Sequence, residues 1–193
     1  MKETLGTASL LLAIIGFIPY LIDIFKMKTK PHAFSWLVWA VLSVIAFAVQ
    51  ITNNGGPGSW LNGMTAIITF SIFLLSLKYG EKNILTVDWL SLLFAAFALV
   101  LWFITKDPLI SVILISLIDA VGGFFPTFRK SISNPYEETA ILYLIYAASL
   151  TLSLAALTTF SLVNALYPAS FVVINLAMAS FLFVRRRTIG FAR

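Results

Sequence analysis

Apolar residues occur along this chain in seven long runs that are separated by short polar or basic segments. The runs cover residues 4–25, 33–51, 59–79, 87–105, 108–128, 136–157 and 165–185. Each is roughly 17–23 residues long, the length with which an α-helix crosses about 30 Å of hydrocarbon. A helix is the expected form because it satisfies its own backbone hydrogen bonds in lipid. The pattern predicts an all-α integral membrane protein with seven transmembrane helices, here called spans 1 to 7.

Part of span 1 recurs in span 5. Ser9–Pro19 (SLLLAIIGFIP) and Ser116–Pro126 (SLIDAVGGFFP) are identical at six of eleven positions, at a shift of 107 residues. Each copy runs into a basic segment with a second proline, Pro31 or Pro135. Duplicated membrane units are typical of transporters.

The repeat predicts a domain organisation. Because an odd number of spans separates equivalent helices, both copies have the same orientation. Two parallel three-helix repeats joined by a linker helix are therefore expected, a 3+1+3 arrangement. The predicted domains are a first triple-helix bundle over residues 1–80, linker helix 4 over 81–106, and a second triple-helix bundle with a short basic tail over 107–193.

The composition indicates that the protein lies in a lipid bilayer. Apolar residues make up 60% of the chain and charged residues 11%, and the mean hydropathy is +0.98, which is far more apolar than a soluble domain. Cysteine is absent and there is one histidine, so no metal or cofactor is expected. No nucleophile–base pair is apparent, and an enzyme is not expected either.

The basic residues predict the orientation. Eleven of them fall on one predicted side of the membrane, and only Lys2 and Lys106 fall on the other. Positive residues are retained on the cytoplasmic side, so the N-terminus is expected outside and the C-terminus in the cytoplasm of a bacterial-type plasma membrane. Retention also explains the net charge of +5 without nucleic acid. The expected partners are the bilayer and a small solute, with homo-oligomer formation left open. The eleven residues are Lys26, Lys28, Lys30, Lys78, Lys82, Arg129, Lys130, Arg185, Arg186, Arg187 and Arg193.

Seven spans in a parallel 3+1+3 repeat with an outer N-terminus resemble the SWEET sugar transporters and their PQ-loop relatives. The resemblance covers almost the whole chain in topology. It is specific at Pro19, Pro31, Pro126 and Pro135, which pair between the repeats as the hinge prolines of that family do. The Pro-Gln dipeptide is absent, since tyrosine follows Pro19 and threonine follows Pro126. The resemblance implies alternating access to a solute site between the repeats.

Two of the prolines also suggest hinges on physical grounds. A proline inside a helix removes one hydrogen bond and introduces a kink. Pro19 and Pro126 each follow a glycine about one turn earlier, Gly16 and Gly123. Taken singly, each proline with its glycine is explained as the end of a helix before a basic loop. Their matched occurrence in both copies favours a hinge.

Asp119 is the only carboxylate near the middle of a predicted span. Placing a charge there costs about 3 kcal/mol, so polar surroundings are expected, and Ser116 and Gly123 share its helical face. One interpretation is a proton-coupling or substrate-binding group. The other is a structural hydrogen bond to a neighbouring helix. The equivalent position of the first repeat is Leu12, so the site would be asymmetric.

Polar and aromatic residues recur at helical spacing on spans 2, 3 and 6, and predict a cavity between the repeats. Aromatic rings in such a cavity suit sugars, nucleosides or other flat solutes, which stack on them. With Asp119, the predicted substrate-binding residues are Trp39, Ser43, Gln50, Asn62, Thr65, Thr69, Tyr143, Tyr146 and Asn175.

Two of these assignments have alternatives. The resemblance implies that Asn175 on span 7 contacts the solute, with Thr65 or Thr69 as its counterpart on span 3. Hydrogen bonding between helices explains Asn175 equally well. Trp39 is explained as well by the aromatic layer at the membrane interface, to which Trp36 is assigned.

Other charged residues gather at the predicted cytoplasmic end. His32 is expected to be a solvated loop residue. Glu137 and Glu138 are expected to open span 6, because carboxylates favour a helix N-terminus. Pairing with Arg129 or Lys130 as a gate is the less favoured alternative.

These patterns predict a transporter that moves a small polar solute, a sugar or a similar compound, by alternating access. The alternative is a receptor or sensor that binds a ligand on the same fold without moving it. Paired hinges and polar stripes in both repeats favour the transporter.

Overall fold

The computed structural model describes residues 1–190; residues 191–193, with Arg193 of the predicted tail, lie outside it. Within residues 1–190 the regular secondary structure is helical throughout, without a strand. Among these residues, five helical stretches are long and apolar enough to cross a membrane: Lys2–Phe25, Ala33–Thr52, Gly56–Tyr79, Pro108–Ser133 and Leu162–Thr188. The described part of the protein is all-helical, as expected, and these helices are consistent in length and composition with a multi-pass membrane protein.

The α-helices between residues 1 and 190 follow the predicted spans closely. They are α1 (Lys2–Phe25), α2 (Ala33–Thr52), α3 (Trp60–Tyr79), α4 (Thr86–Thr105), α5 (Pro108–Ile118), α6 (Phe125–Ser133), α7 (Ala140–Ala156) and α8 (Leu162–Gly190). Short 3₁₀ turns at Gly56–Ser59 and Pro135–Glu137 precede α3 and α7. Helix α7 is apolar but has only 17 residues, and it begins after the predicted start at residue 136.

Helices α5 and α6 form one helical stretch that extends to Ser133, beyond predicted span 5. Arg129 and Lys130, expected in a loop, therefore lie on α6, and that expectation is wrong. The apolar pattern ends where the charges begin, whereas the helical backbone continues. Pro126 lies inside this continuous stretch, two residues after the last residue of the π-helical turn Asp119–Phe124.

A π-helical turn, Asp119–Phe124, joins α5 to α6. Such wide turns inside α-helices are frequent at functional sites. A Cβ atom at Gly123 would lie 2.7 Å from the Asp119 carboxylate and would collide with the Trp39 indole nitrogen. Glycine at this position therefore allows the Trp39 ring to reach Asp119.

The other predicted hinge residues differ in their settings. Pro19 lies inside α1. Pro31 and Pro135 lie just before α2 and α7, outside both α-helices, so they do not kink them. A Cβ atom at Gly16 would lie 2.7 Å from Ile145 Cγ2 on α7. Gly16 thus permits close packing of α1 on α7, whatever its part in a hinge.

Helix packing brings helices from the two halves of the chain together. Helix α3 packs chiefly on α2 and also on α1, and α8 packs chiefly on α7 and also on α5. Between these two groups, α1 lies along α7, and α2 lies along α5 and the π turn. Helix α4 contacts α5 and the π turn. Large apolar side chains such as Leu11, Phe70 and Val173 point outward, as lipid-facing residues do.

Candidate functional site

A closed cavity lies where the two groups of helices meet. Its described lining comes from α1, α2, α3, the π turn, α7 and α8. The cavity volume that can hold the centre of a water molecule is only about 20 Å³, room for about one water. No lining residue is more than 5% exposed, so this conformation is occluded. The lining residues are Phe17, Trp36, Trp39, Thr65, Thr69, Phe124, Leu142, Tyr143, Tyr146, Phe171 and Asn175.

Six aromatic rings of the lining form a closed cycle of edge-to-face contacts, here called the aromatic collar. The distances between neighbouring ring centroids run from 4.9 to 6.3 Å, within the range that favours such pairs. Five separate helical elements, α1, α2, the π turn, α7 and α8, contribute rings, so the collar holds both groups of helices around the cavity. In order around the cycle, the residues are Phe17, Trp36, Trp39, Phe124, Phe171 and Tyr146.

Three predicted residues supply the polar part of the lining. The Thr65 and Tyr146 hydroxyls are 2.8 Å apart, and the Thr69 hydroxyl donates to the Thr65 carbonyl at 2.7 Å. Asn175 donates to the Phe171 carbonyl at 2.8 Å. Since Thr65 and Thr69 both line the cavity with Asn175, either can act as its counterpart on α3.

Asp119 lies behind the collar and not in the described lining. Its Oδ1 accepts a hydrogen bond of 2.8 Å from the Trp39 indole N–H, while Oδ2 has no partner among the described residues. The carboxyl group is fully buried. Both interpretations of Asp119 retain a physical basis: it bonds to a neighbouring helix, and through Trp39 it is connected to the cavity wall.

Three other predicted residues are buried away from the cavity lining. Gln50 accepts from the Asn62 amide at 2.8 Å and donates to the Asn164 carbonyl at 2.7 Å. Ser43 is 1% exposed and is not among the described lining residues. Of the ten predicted residues, six reach the cavity: Trp39, Thr65, Thr69, Tyr143, Tyr146 and Asn175.

Ion pairs close one end of the cavity, here called the basic end. Lys130 pairs with the Glu138 carboxylate, and both side chains are 1% exposed. Lys130 also donates to the Lys30 carbonyl at 2.5 Å. The other carboxylate oxygen of Glu138 accepts from Tyr143, a lining residue, at 2.9 Å. The less favoured pairing of Lys130 with Glu138 is thus present, and it connects α6, α7 and the segment before α2.

A second, more exposed ion pair lies beside the first. Lys30 Nζ is 2.5 Å from the Glu137 carboxylate, with side chains 39% and 23% exposed. The hydrogen bond to Glu137 raises the pKa of Lys30 above its usual value. Glu137 lies in the 3₁₀ turn and Glu138 follows it, two residues before α7. They do not open the α-helix, so that expectation is wrong.

His32 is fully buried, so its assignment as a solvated loop residue is wrong. Its Nε2 lies 3.4 Å from Asp88 Oδ2, and Arg129 donates two hydrogen bonds to the same carboxylate at 2.8 and 3.0 Å. Burial lowers the pKa of His32 below its usual value, although the nearby Asp88 opposes this. Local polarity suggested exposure, but α4 and α6 cover the imidazole.

At the opposite end of the helix bundle, the contacts between the two groups of helices are made mostly to backbone carbonyls. Ser153 donates to the Gly58 carbonyl at 2.6 Å, and the Thr158 N–H donates to the Gly55 carbonyl at 2.9 Å. The Lys2 ammonium donates to carbonyls of the α7–α8 connection at 2.5 and 2.9 Å. The two ends of the helix bundle are therefore held by separate networks of different chemistry.

Five lining residues were not predicted, and one signal could have found two of them. Phe17 and Phe124 occupy equivalent positions of the repeated segment. Trp36, assigned to the membrane interface, is 3% exposed and lines the cavity, so that assignment is wrong. Leu142 and Phe171 carry no distinguishing signal, because apolar residues facing lipid and apolar residues facing a cavity look alike in sequence.

Comparisons with other proteins found no matching family model, no similar curated protein and no similar solved structure. The resemblance to SWEET and PQ-loop proteins therefore stays a prediction. The residues described between 1 and 190 include no cluster of three or more potential metal ligands.

Proposed function

We propose that the protein is a membrane transporter that moves a small polar solute by alternating access between two three-helix bundles. The observation that carries this proposal is the occluded cavity between the two groups of helices, with a separate network of contacts at each end of the helix bundle. A site that is enclosed on both sides exchanges its contents only when one closure opens. Opening the two closures in turn is what alternating access requires.

The proposed arrangement is seven spans in a 3+1+3 order, with α4 as the linker. The packing supports it: α3 contacts α2 more than α1, and α8 contacts α7 more than α5. The third helix of each group therefore packs in the same way. The two copies of the repeated phenylalanine, Phe17 and Phe124, both face the cavity, as a duplicated bundle predicts.

The proposed orientation places the basic end in the cytoplasm. Ten of the eleven basic residues that define the bias lie among the described residues, and several of them surround the Lys130–Glu138 closure. The positive-inside rule assigns this end to the cytoplasm. The network near Gly58 then faces outward.

The absence of native cysteine makes accessibility the direct test. A single thiol is introduced by Thr69→Cys in the cavity, and intact and inverted vesicles are treated with a membrane-impermeant thiol reagent. Alternating access predicts slow labelling of this thiol from both sides, because each closure opens part of the time. A receptor that binds without translocation predicts labelling from one side only.

Three further single thiols calibrate the measurement. Thr159→Cys and Lys82→Cys place exposed thiols at opposite ends of the bundle and should label from opposite faces. Thr151→Cys places an exposed thiol on the outer surface of α7, which lipid should shield from both sides. If Thr159→Cys and Lys82→Cys label from the same face, the seven-span arrangement is wrong.

A further inference from the structure

We propose that the solute is a neutral, planar aromatic compound with an amide-like edge, rather than a sugar. This inference rests on the proposed function, because it names the substrate class of the same cavity. The observation behind it is the combination of the closed aromatic collar with a single amide side chain, Asn175, in the described lining.

The aromatic collar offers apolar ring surface and few free polar atoms. The Trp36 indole donates to Tyr20 at 3.2 Å, and the Trp39 indole donates to Asp119 at 2.8 Å. The Tyr146 hydroxyl is bonded to Thr65. The polar atoms of the collar are therefore engaged within the protein, and a solute meets carbon edges and ring faces.

A sugar fits this lining poorly. Each hydroxyl group of a hexose is both a donor and an acceptor, and one that is buried without a partner costs binding energy. The described lining has only Thr65, Thr69 and Asn175 as polar residues apart from its engaged aromatic groups. A flat ring that is admitted when the collar rings move apart can instead make edge-to-face contacts with them, which favour aromatic pairs.

The uncommitted polar group of the lining is an amide. Asn175 uses one N–H on the Phe171 carbonyl, and this side chain makes no other hydrogen bond to the side chains and backbone that the structure describes. A second N–H and the Oδ1 acceptor remain. A donor next to an acceptor matches the edge of a carboxamide or a lactam, which carries the same pair in reverse.

The charges favour a neutral solute. No charged side chain belongs to the described lining. Asp119 is covered by Trp39, and Glu138 is bonded to Lys130 and Tyr143. An anionic solute would lie near two carboxyl groups without a cation in the lining. A cation binds over the faces of aromatic rings. The collar rings contact each other edge to face, so their faces do not all point toward one centre where a cation could bind.

The test is a set of small compounds that differ by one property each. Benzamide is planar and neutral and has an amide edge. Benzoate replaces the amide by a negative charge, cyclohexanecarboxamide removes the aromatic ring, and tetramethylammonium and glucose represent a cation and a sugar. Binding of each at millimolar concentration is measured by ligand-detected NMR and by thermal shift of the purified wild-type protein, since small fragments bind weakly.

Three variants test whether the compounds bind in the cavity, and the two threonine variants are isosteric. Thr69→Val removes a hydroxyl from the lining, whereas Thr151→Val removes one that makes the same helical hydrogen bond on the exposed surface of α7. Asn175→Leu removes the amide. We expect benzamide to bind best of the five compounds, with affinity reduced about tenfold by Asn175→Leu, reduced by Thr69→Val and unchanged by Thr151→Val.

The outcomes separate this inference from the proposed function. Tighter binding of glucose, benzoate or tetramethylammonium, or equal binding of cyclohexanecarboxamide, overturns the planar aromatic solute. So does a lack of binding by all five compounds, or benzamide binding that Asn175→Leu and Thr69→Val leave unchanged while both variants keep the wild-type melting temperature. None of these results affects the labelling of Thr69→Cys from both sides, which tests alternating access without any solute.

Discussion

Breaking the buried ion pair at the basic end should open the cavity on that side. In Lys130→Met, Glu138 keeps the hydrogen bond from Tyr143 but loses its cation at a site where both side chains are 1% exposed. Removing one partner of a buried pair typically costs about 3–5 kcal/mol. If this closure is a gate, the lost ion pair destabilises the closed conformation relative to the conformation that is open on that side.

The size of the effect follows from that cost. About 3 kcal/mol changes a conformational equilibrium by roughly 100-fold. The thiol introduced by Thr69→Cys should therefore react up to about 100-fold faster from the cytoplasmic side in the Lys130→Met background. Labelling from the outer side should slow, because the two open conformations compete for the same molecules.

Two variants serve as controls. Lys30→Met breaks the neighbouring pair, whose side chains are 39% and 23% exposed, and a pair of this kind contributes at most about 1 kcal/mol. Its effect on labelling should stay below about fivefold. The double variant Lys130→Met with Glu138→Gln removes the uncompensated charge while the glutamine still accepts from Tyr143, so slow labelling should return.

The gate is excluded if Lys130→Met lowers the melting temperature by several degrees and changes labelling no more than Lys30→Met does. The ion pair would then stabilise the whole fold, without a preference for one conformation, and the basic end would not be a gate.

Three further perturbations test other parts of the structure. Asp119→Asn preserves an acceptor for the Trp39 indole, whereas Asp119→Leu leaves that N–H buried and unpaired, so only the leucine variant should lose stability, by about 1–3 kcal/mol in a denaturation titration. If Asp119 couples protons, Asp119→Asn should abolish pH-dependent uptake but retain counterflow; full pH-dependent uptake excludes the coupling role. Pro19→Ala combined with Pro126→Ala should slow the labelling of Thr69→Cys from both sides without lowering the melting temperature, and an unchanged rate would contradict the hinge. His32 has a pKa lowered by burial, so its unfolded form binds protons more readily. The contribution of His32 to the free energy of unfolding is therefore fully present above about pH 6.5 and is lost as the pH drops below that value. The melting temperature of His32→Phe should depend less on pH between 7 and 5, and equal pH dependence would contradict this account.

Helix positions were predictable because each apolar run carries its own signal. A run of the right length and hydrophobicity forms a helix in lipid whichever helix it later contacts. The predicted and observed bounds of α2 and α3 accordingly agree within about one residue. The prediction failed where that signal stops, at Arg129 and Lys130, because a helix continues into a charged segment without changing its hydropathy pattern.

The polar part of the cavity was predictable to a similar degree. Thr65, Thr69 and Asn175 are polar residues in segments otherwise suited to lipid. Burying them inside the protein costs less free energy than exposing them to lipid. The same reasoning does not separate a cavity from a contact between helices. Asn62 and Gln50 have the same character as Asn175, yet they bond to each other and lie outside the described lining.

The local pattern of residues is enough to specify the helices, the apolar surface and the candidate polar positions of this chain. It does not specify the aromatic collar, since Phe17 and Phe171 resemble any lipid-facing phenylalanine until α1 and α8 are packed around one space. Nor does it specify that Lys130 reaches the carbonyl of Lys30, 100 residues away, or that His32 is covered by distant helices. Contacts of this kind depend on how helices pack against each other, and no single segment carries that information.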